Sequence, residues 1–396
     1  MIKDRKINLL VIGDAVTPTG FSRVLHSITG NLPDDYNISW IGVNYFGDPH
    51  EYSKCKIYPA TMFLQSDPYG LGRLKAITDI EKPDIIFILN DIWIIEAYLK
   101  KIKEVYKDKS VPKIVLYFPV DAREHDPDWY KETDIASAAV TYTEFAKDVV
   151  QKAKPELNVE IVQHGIDKNL FYKIDKPKNQ LKKEFYPDKA DFYDDSFIVL
   201  NANRNQPRKR LDLTLTGFKL FAENKPENVK IYMHTGISDS HIHVDKFAKR
   251  LGIQKRLIVT TRNRGVQSVS VETLNKIYNV TDVGVNTSLG EGWGLTAMEH
   301  AVTYAPQIVP DNSASKELFE DCGLLIKNAT NFVQKDIMTV GTLVDPVDLA
   351  YNLQSLYDSQ ALFTSVALRC YNKFNSEEYS WKFIARKWDE IFKRVV

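Results

Sequence analysis

Short apolar runs, too brief to be helices, alternate with segments of helical spacing along nearly the whole chain, and this alternation limits the fold more than any other feature. In the first half the runs are "INLLVIG", "NISWIGVN", "DIIFILN", "KIVLYFPV", "AAVTYT" and "VEIVQHG", with "FSRVLHSITGNL" and "TEFAKDVVQKA" as helical segments among them. The second half repeats the plan with "FIVLNANR", "VKIYMHT", "LIVTTR", "DVGVNTS" and "PQIVP", and with "RLDLTLTGFKLFAEN", "DKFAKRLGI", "VETLNKIYN" and "LTAMEHAVT" as helices. Because the runs are apolar throughout and do not alternate with polar residues, each strand calls for cover on both faces, the pattern of a parallel α/β sheet. At 396 residues the chain exceeds the size of one hydrophobic core, so two Rossmann-like domains are predicted.

The polar, lysine-rich stretch from 173 to 196 carries two prolines and sets the interdomain connection near 168–175, with a short helix around 180–186. The expected layout is a first domain over 1–170, a second over 171–375, and a terminal segment over 376–396. That segment reads as an amphipathic helix offering Trp381, Phe383, Ile384, Trp388 and Ile391 to one broad face.

Charge and cysteine usage exclude several classes. With 52 basic and 52 acidic residues no global field draws the protein to nucleic acid or an anionic membrane, although a local basic patch stays open. Cys55, Cys322 and Cys370 are few, odd in number and far apart, which argues against a disulfide framework or a zinc site and for a reducing compartment, the cytoplasm. "MIKDRKINLLVIGDAVTPTG" reads as a first strand and turn, not as a signal peptide. The longest apolar stretch, "IIFILNDIWII", is broken by Asn90 and Asp91 and falls short of the roughly 20 residues that span a bilayer, so no transmembrane segment is expected.

Two stretches of the second half carry the chemistry. In "SLGEGWGLTAMEH" the glycines Gly290, Gly292 and Gly294 form a strand-to-helix turn, where backbone N–H groups approach an anion closely and a helix N-terminus adds partial positive charge. Glu299, about one turn into the helix, suits the paired hydroxyls of a ribose, and Glu291 faces whatever lies beyond the phosphates. A plain glycine-rich connection with a capping glutamate explains the spacing equally well. The second stretch, "NANRNQPRKRLD", places Arg204, Arg208, Lys209 and Arg210 after a strand and before a helix, at the sheet edge where open α/β folds bind ligands. Such cations neutralise a diphosphate; a solvated basic run or a nucleic-acid contact is the alternative. Together the two stretches suit one nucleoside diphosphate.

The run from "NRNQPRKRLDL" through "VETLNKIYNVTDVGVNTSLGEGWGLTAMEHAVTYAPQIVPDNSASKELFEDCGLLI" to "DPVDLAYNLQSLYD" resembles the C-terminal half of retaining GT-B glycosyltransferases of family four, which use nucleotide-sugar donors. The resemblance covers residues 195–396 well. It extends more loosely into the first half through "TPTGFSRV", "LNDIW", "YFPVDA", "TYTEFAKDV" and "VQHGIDKNLF". It implies that Arg204 and Lys209 clamp the leaving diphosphate, that Glu291 orients donor-sugar hydroxyls and that Glu299 binds the ribose. It further implies that the backbone of Gly292, Trp293, Gly294 and Leu295 holds the pyrophosphate, that Gly20 approaches the donor from the first domain and that Arg262 lies near the nucleobase. The implied fold is two Rossmann-like domains facing across a cleft, closing on the donor, with the C-terminal helix crossing back to the first. No metal or other cofactor is implied. Where many members carry a histidine after the fourth strand, this chain has "YFPVDAREHD", so Asp121, with His125 as the alternative, is expected in that role; Ala305 replaces a usual glycine.

The predicted activity is therefore transfer of a sugar from a nucleoside diphosphate sugar, with retention, to an acceptor hydroxyl on a glycan, small molecule, protein or hydroxylated DNA base. DNA as acceptor draws no support from the net charge. A GT-B epimerase or phosphorylase, or a nucleic-acid-binding module built on the 204–210 loop, is the alternative. His241 and His243 lack a third partner at ligand spacing, so no metal site is expected. His164 suits a ligand contact or a structural hydrogen bond, and Trp93 suits packing.

Overall fold

The computed structural model describes residues 5–17, 19–52, 55–61, 67–107, 110–186, 195–260 and 269–396. The chain divides into two compact units, one of residues 1–120, 124–165 and 378–396, the other of 121–123 and 166–377.

The first unit is built on β1 (Ile7–Asp14), β2 (Tyr36–Val43), β3 (Lys56–Pro59), β4 (Ile85–Leu89), β5 (Lys113–Tyr117), β6 (Ala138–Thr141) and β7 (Val159–Ile161). These form a sheet in the order β3-β2-β1-β4-β5-β6-β7, and every neighbouring pair is parallel. Every residue of β4 is buried, as its uninterrupted apolar sequence requires of a strand covered on both faces. The apolar stretch around Asn90 and Asp91 is split by them: the strand ends at Leu89, and a helix runs over Ile92–Val105 with Asp91 at its N-cap. The C-terminal helix Trp381–Val395 belongs to this unit. Trp388 packs against Phe87 of β4 and Tyr117 of β5, with ring centroids 4.7 and 4.6 Å away, and Phe392 lies 5.2 Å from Phe87. Trp381, Ile384, Trp388 and Ile391 are buried. Phe383 is only partly so and lies under the Lys387 ammonium.

The second unit holds β8 (Phe197–Asn201), β9 (Val229–Met233), β10 (Leu257–Val259), β11 (Val283–Val285), β12 (Gln307–Pro310) and β13 (Leu324–Ile326), in the order β10-β9-β8-β11-β12-β13, again all parallel. An antiparallel hairpin, β14 (Asn328–Val333) and β15 (Val340–Val344), stands apart from this sheet. The short segment 121–123 joins the unit through it, because Arg123 and Val340 exchange both backbone hydrogen bonds, at 3.0 and 2.9 Å.

Both parallel sheets reverse strand order beside their first strand, between β1 and β4 in one and between β8 and β11 in the other. At such a reversal the connections leave in opposite directions and open a crevice at the carboxyl ends of the two strands. In the second unit those ends lead into residues 202–210 and 286–294, the two stretches singled out by their sequence.

Candidate functional site

Backbone contacts stitch the two loops together before any charge is considered. The Leu289 N–H donates to the Arg208 carbonyl at 2.8 Å, and the Thr287 hydroxyl lies 3.2 and 2.9 Å from the carbonyls of Lys209 and Arg210. The hairpin braces the second loop from outside through Thr342 N–H to Leu289 O, 2.9 Å. Gly290 has no room for a side chain, since a Cβ there would stand 1.7 Å from the Asp121 carbonyl oxygen. Gly294 takes φ +94°, a conformation open to glycine at little strain, and opens the helix Leu295–Ala301.

Glu291 sits at the centre of what these loops bring together. Its side chain is 5% exposed. Oε1 receives Lys209 Nζ at 2.6 Å and Asn286 Nδ2 at 2.9 Å, with the Ser288 hydroxyl at 2.7 Å, and Oε2 lies 3.3 Å from Arg208 Nη1. The Glu291 N–H donates to the Ser313 hydroxyl at 2.9 Å. Arg208 also reaches Asp121, Nε to Oδ2, at 3.2 Å. Burial pushes the Glu291 carboxyl up, but Lys209, Arg208 and the Asn286 amide outweigh it and hold the group well below the usual carboxylate range. Burial pulls Lys209 in the opposite sense and Arg208 adds to it, so that in spite of Glu291 the ammonium is brought down to about 8. A buried cation so placed is a ready partner for an incoming dianion, whose charge would oppose that shift.

Glu299, in the helix that Gly294 opens, is 2% exposed, and its Oε2 accepts the Tyr278 hydroxyl at 2.9 Å. The helix is a single short stretch of seven residues, so its dipole adds little and the side-chain cations carry most of the positive charge.

No family model matches the sequence. It is similar to the mannosylfructose-phosphate synthase of Agrobacterium fabrum, 23% identical over 197 residues that make up 47% of this chain and 39% of that enzyme. The match thus spans about two fifths of the length of that curated relative. Among solved structures, sucrose-phosphate synthase from Thermosynechococcus elongatus superposes with a TM-score of 0.74 over 99% of each chain at 14% identity. Anabaena Alr3699/HepE, solved with UDP and glucose, does so with a TM-score of 0.72 over 98% of this chain and 100% of that one, also at 14% identity. WaaG, a glycosyltransferase of lipopolysaccharide biosynthesis, gives 0.69 over 97% and 99% at 11% identity. The fold is GT-B.

Within this GT-B chain the residues marked by sequence fall into three groups. Lys209, Glu291 and Asp121 meet in one network through Arg208, and Gly292, Trp293, Gly294, Leu295 and Glu299 continue from it along the turn and helix. Arg204 does not join them: its side chain is 49% exposed and its Nε donates to Asp239 at 2.8 Å. Gly20 begins the helix Gly20–Gly30 of the first unit, capped by the Thr19 hydroxyl. Arg262 lies outside the described residues.

Asp121, expected as a contribution of the first domain, is instead grouped with the second unit, since Arg123 pairs with β15 and Asp121 with Arg208. His125 stays in the first unit, its Nδ1 2.8 Å from the Tyr130 hydroxyl. His241 binds Asp212 at 3.1 Å and His243 caps the helix Val244–Arg250, which gives both histidines structural partners. Among the described residues no group of three or more His, Cys, Asp or Glu is arranged to hold a metal ion, and no helix is long and apolar enough to cross a membrane.

Sequence reasoning marked Arg208 only as one cation of the basic loop and passed over Asn286, Ser288, Ser313 and Tyr278. A usable signal existed for two of these: "NTSLGE" sets an amide and a hydroxyl directly after a strand end, two residues apart and just before the buried carboxylate.

Proposed function

We propose that this chain is a retaining, metal-independent glycosyltransferase that moves a sugar from a nucleoside diphosphate sugar to an acceptor hydroxyl. The observation that carries the proposal is the convergence, at the second sheet's strand-order reversal, of a buried Lys209–Glu291–Arg208 network with the glycine turn and Glu299. The GT-B fold and the likeness to glycosyltransferases support the same reading.

In this mechanism Lys209, with Arg208 beside it, faces the donor diphosphate and stabilises the charge that builds on it as the glycosidic bond breaks, and Arg204, engaged by Asp239, supplements them; removing one such preorganised group costs about a hundred- to a thousandfold in rate. The turn from Gly292 to Leu295 carries the pyrophosphate on its backbone, and Glu299 takes the ribose hydroxyls. Glu291 has two duties, balancing Lys209 and presenting its carboxylate to the sugar. The acceptor oxygen attacks from the face that the phosphate leaves, and the departing phosphate oxygen takes the proton. Asp121 serves as the counter-ion of Arg208. Three free thiols, Cys55, Cys322 and Cys370, fit a reducing compartment and hence the cytoplasm.

The ion pairs weigh against a nucleic-acid module. Arg204 is paired with Asp239, Arg208 with Asp121 and Glu291, Lys209 with Glu291 and Arg210 with Asp212, so each of these four cations already has a carboxylate. A row of solvated cations is what phosphate-backbone binding requires.

The test is a panel of UDP-, GDP- and ADP-sugars incubated with hydroxylated acceptors, read by release of free nucleoside diphosphate and by the anomeric configuration of the product. Acceptor-dependent release with retention supports the reading. Release without transfer, or conversion of the sugar with no acceptor, would replace it with hydrolysis or epimerisation.

A further inference from the structure

A carboxylate that is to receive two ribose hydroxyls has a geometric problem that a carboxylate paired with a cation does not. Its plane must be fixed before the ligand arrives, because a freely turning Glu side chain would lose rotamer entropy on binding and weaken the contact. Glu299 is buried, and the contact on its Oε2 is the Tyr278 hydroxyl, 2.9 Å away. A phenol donating to a carboxylate is a charge-assisted hydrogen bond, about twice as strong as a neutral one.

Tyr278 is itself held from several sides. Its ring is fully buried, stacks on His300 with centroids 5.4 Å apart and planes at 21°, and meets Phe171 at 5.8 Å. It sits in the last turn of the helix Val271–Val280, and its carbonyl accepts the hydroxyls of Thr281 and Thr303 at 3.2 and 3.3 Å. The His300 ring is in turn within 3.2 Å of the Thr281 hydroxyl through Nε2. Glu299 and His300 are consecutive in one helix, so a single aromatic ring is braced by one of them and directs its hydroxyl at the other. Packing alone would be served by phenylalanine; the hydroxyl is what reaches Glu299.

We propose that Tyr278 is a positioning residue that fixes the Glu299 carboxylate for the ribose diol of the donor and so gives this protein its preference for ribonucleotides over 2′-deoxyribonucleotides. This rests on the glycosyltransferase reading and on the ribose role of Glu299. Tyr278 touches the ligand only through Glu299.

The experiment compares the calorimetric affinity of UDP, GDP and ADP with that of each 2′-deoxy counterpart, for the unsubstituted protein and for Tyr278→Phe. The expected result is a preference of about tenfold or more for the ribonucleotide in the unsubstituted protein. In Tyr278→Phe that preference falls about fivefold while deoxynucleotide affinity changes by less than about twofold. A Tyr278→Phe protein that weakens both ligands equally, or neither, overturns the positioning role and leaves the glycosyltransferase reading standing. Failure of every nucleoside diphosphate to bind the unsubstituted protein overturns both. Should Tyr278→Phe not fold, 3-fluorotyrosine placed at 278 keeps the hydroxyl and reports by fluorine NMR. A larger shift with UDP than with 2′-deoxy-UDP supports the proposal, and equal shifts overturn it.

Discussion

Two buried carboxylates at the carboxyl ends of central strands, one in each unit, are shifted in opposite directions. Asp14 closes β1 and is held by neutral groups: the Thr19 hydroxyl at 2.6 Å and the Asn44 amide at 3.3 Å. Burial is the largest influence there and pushes its carboxyl up. Glu291 follows β11 and is as deeply buried, yet Lys209 and Arg208 hold it down. Each lies beside the strand-order reversal of its own sheet, Asp14 on the strand before it and Glu291 in the loop after the strand that follows it. The difference comes from the cations of one loop, and it shows why a fold common to many activities leaves the chemistry to particular side chains.

The comparison can be broken most forcefully by removing the cation. Lys209→Ala should lower kcat by at least about a hundredfold with the fold retained, the loss typical of a preorganised charge-stabilising group. Arg204→Ala should lose less, because its half-exposed guanidinium is engaged by Asp239. Steady-state kinetics on both variants decide it, and near-normal turnover by Lys209→Ala would place the diphosphate clamp elsewhere.

Glu299→Ala should weaken nucleoside diphosphate binding by about 1.5 to 3 kcal/mol, the scale of a lost charged hydrogen bond. Titration calorimetry reads this directly, and an unchanged affinity would remove the ribose assignment.

A smaller effect appears in the pH profile. Lys209, brought down to about 8, loses its proton as pH rises through that value, so kcat/KM should fall on the alkaline side of about pH 8. Removing the neighbouring negative charge lowers the Lys209 value further, and in Glu291→Gln the alkaline limb should move to lower pH. A limb that stays in place would detach it from Lys209.

The smallest effect separates the two carboxylates by sign. The Glu291 carboxyl lies below its unfolded value of 4.5, so its contribution to stability is present above that pH and is lost as pH falls toward the folded value. Asp14 lies above its unfolded value of 3.8, so the folded state keeps a proton that the unfolded state gives up, and its contribution declines as pH rises through that window. Asp14→Asn should accordingly change stability at neutral pH by less than about 1 kcal/mol, as expected where no ion pair is lost. Chemical denaturation at pH 7 measures it, and a loss of several kcal/mol would mean that Asp14 is paired like Glu291.

Much of this was legible in the residues because it depends on local pattern. Continuous apolar runs marked the parallel strands, and the glycine turn and basic loop marked the crevice at their ends. β14 was not legible: it is exposed along its length and spells "NATNFV", so no buried face imposes an apolar period. The helix Ile92–Val105 was hidden for the opposite reason, since its apolar start continues the preceding strand across only two polar residues. The choice of Arg208 over Arg204 as the neighbour of Glu291 depends on how the loop turns through the 3-10 segment Pro207–Lys209, and spacing carries no trace of it. The grouping of Asp121 with the second unit left no local signal, because Arg123, two residues on, pairs with a hairpin more than two hundred positions later.

The membership of residues 378–396 in the first unit bears on the order in which the protein can be made. A ribosome releases β1 to β7 early, but Phe87 and Tyr117 wait for Trp388 and Phe392 until the last helix emerges, after the whole of 166–377 has been synthesised. Of the two units, the one that holds β1 is thus begun before the other and completed after it. The second unit, whose only early piece is 121–123, can assemble while its elder neighbour still exposes an aromatic face to chaperones.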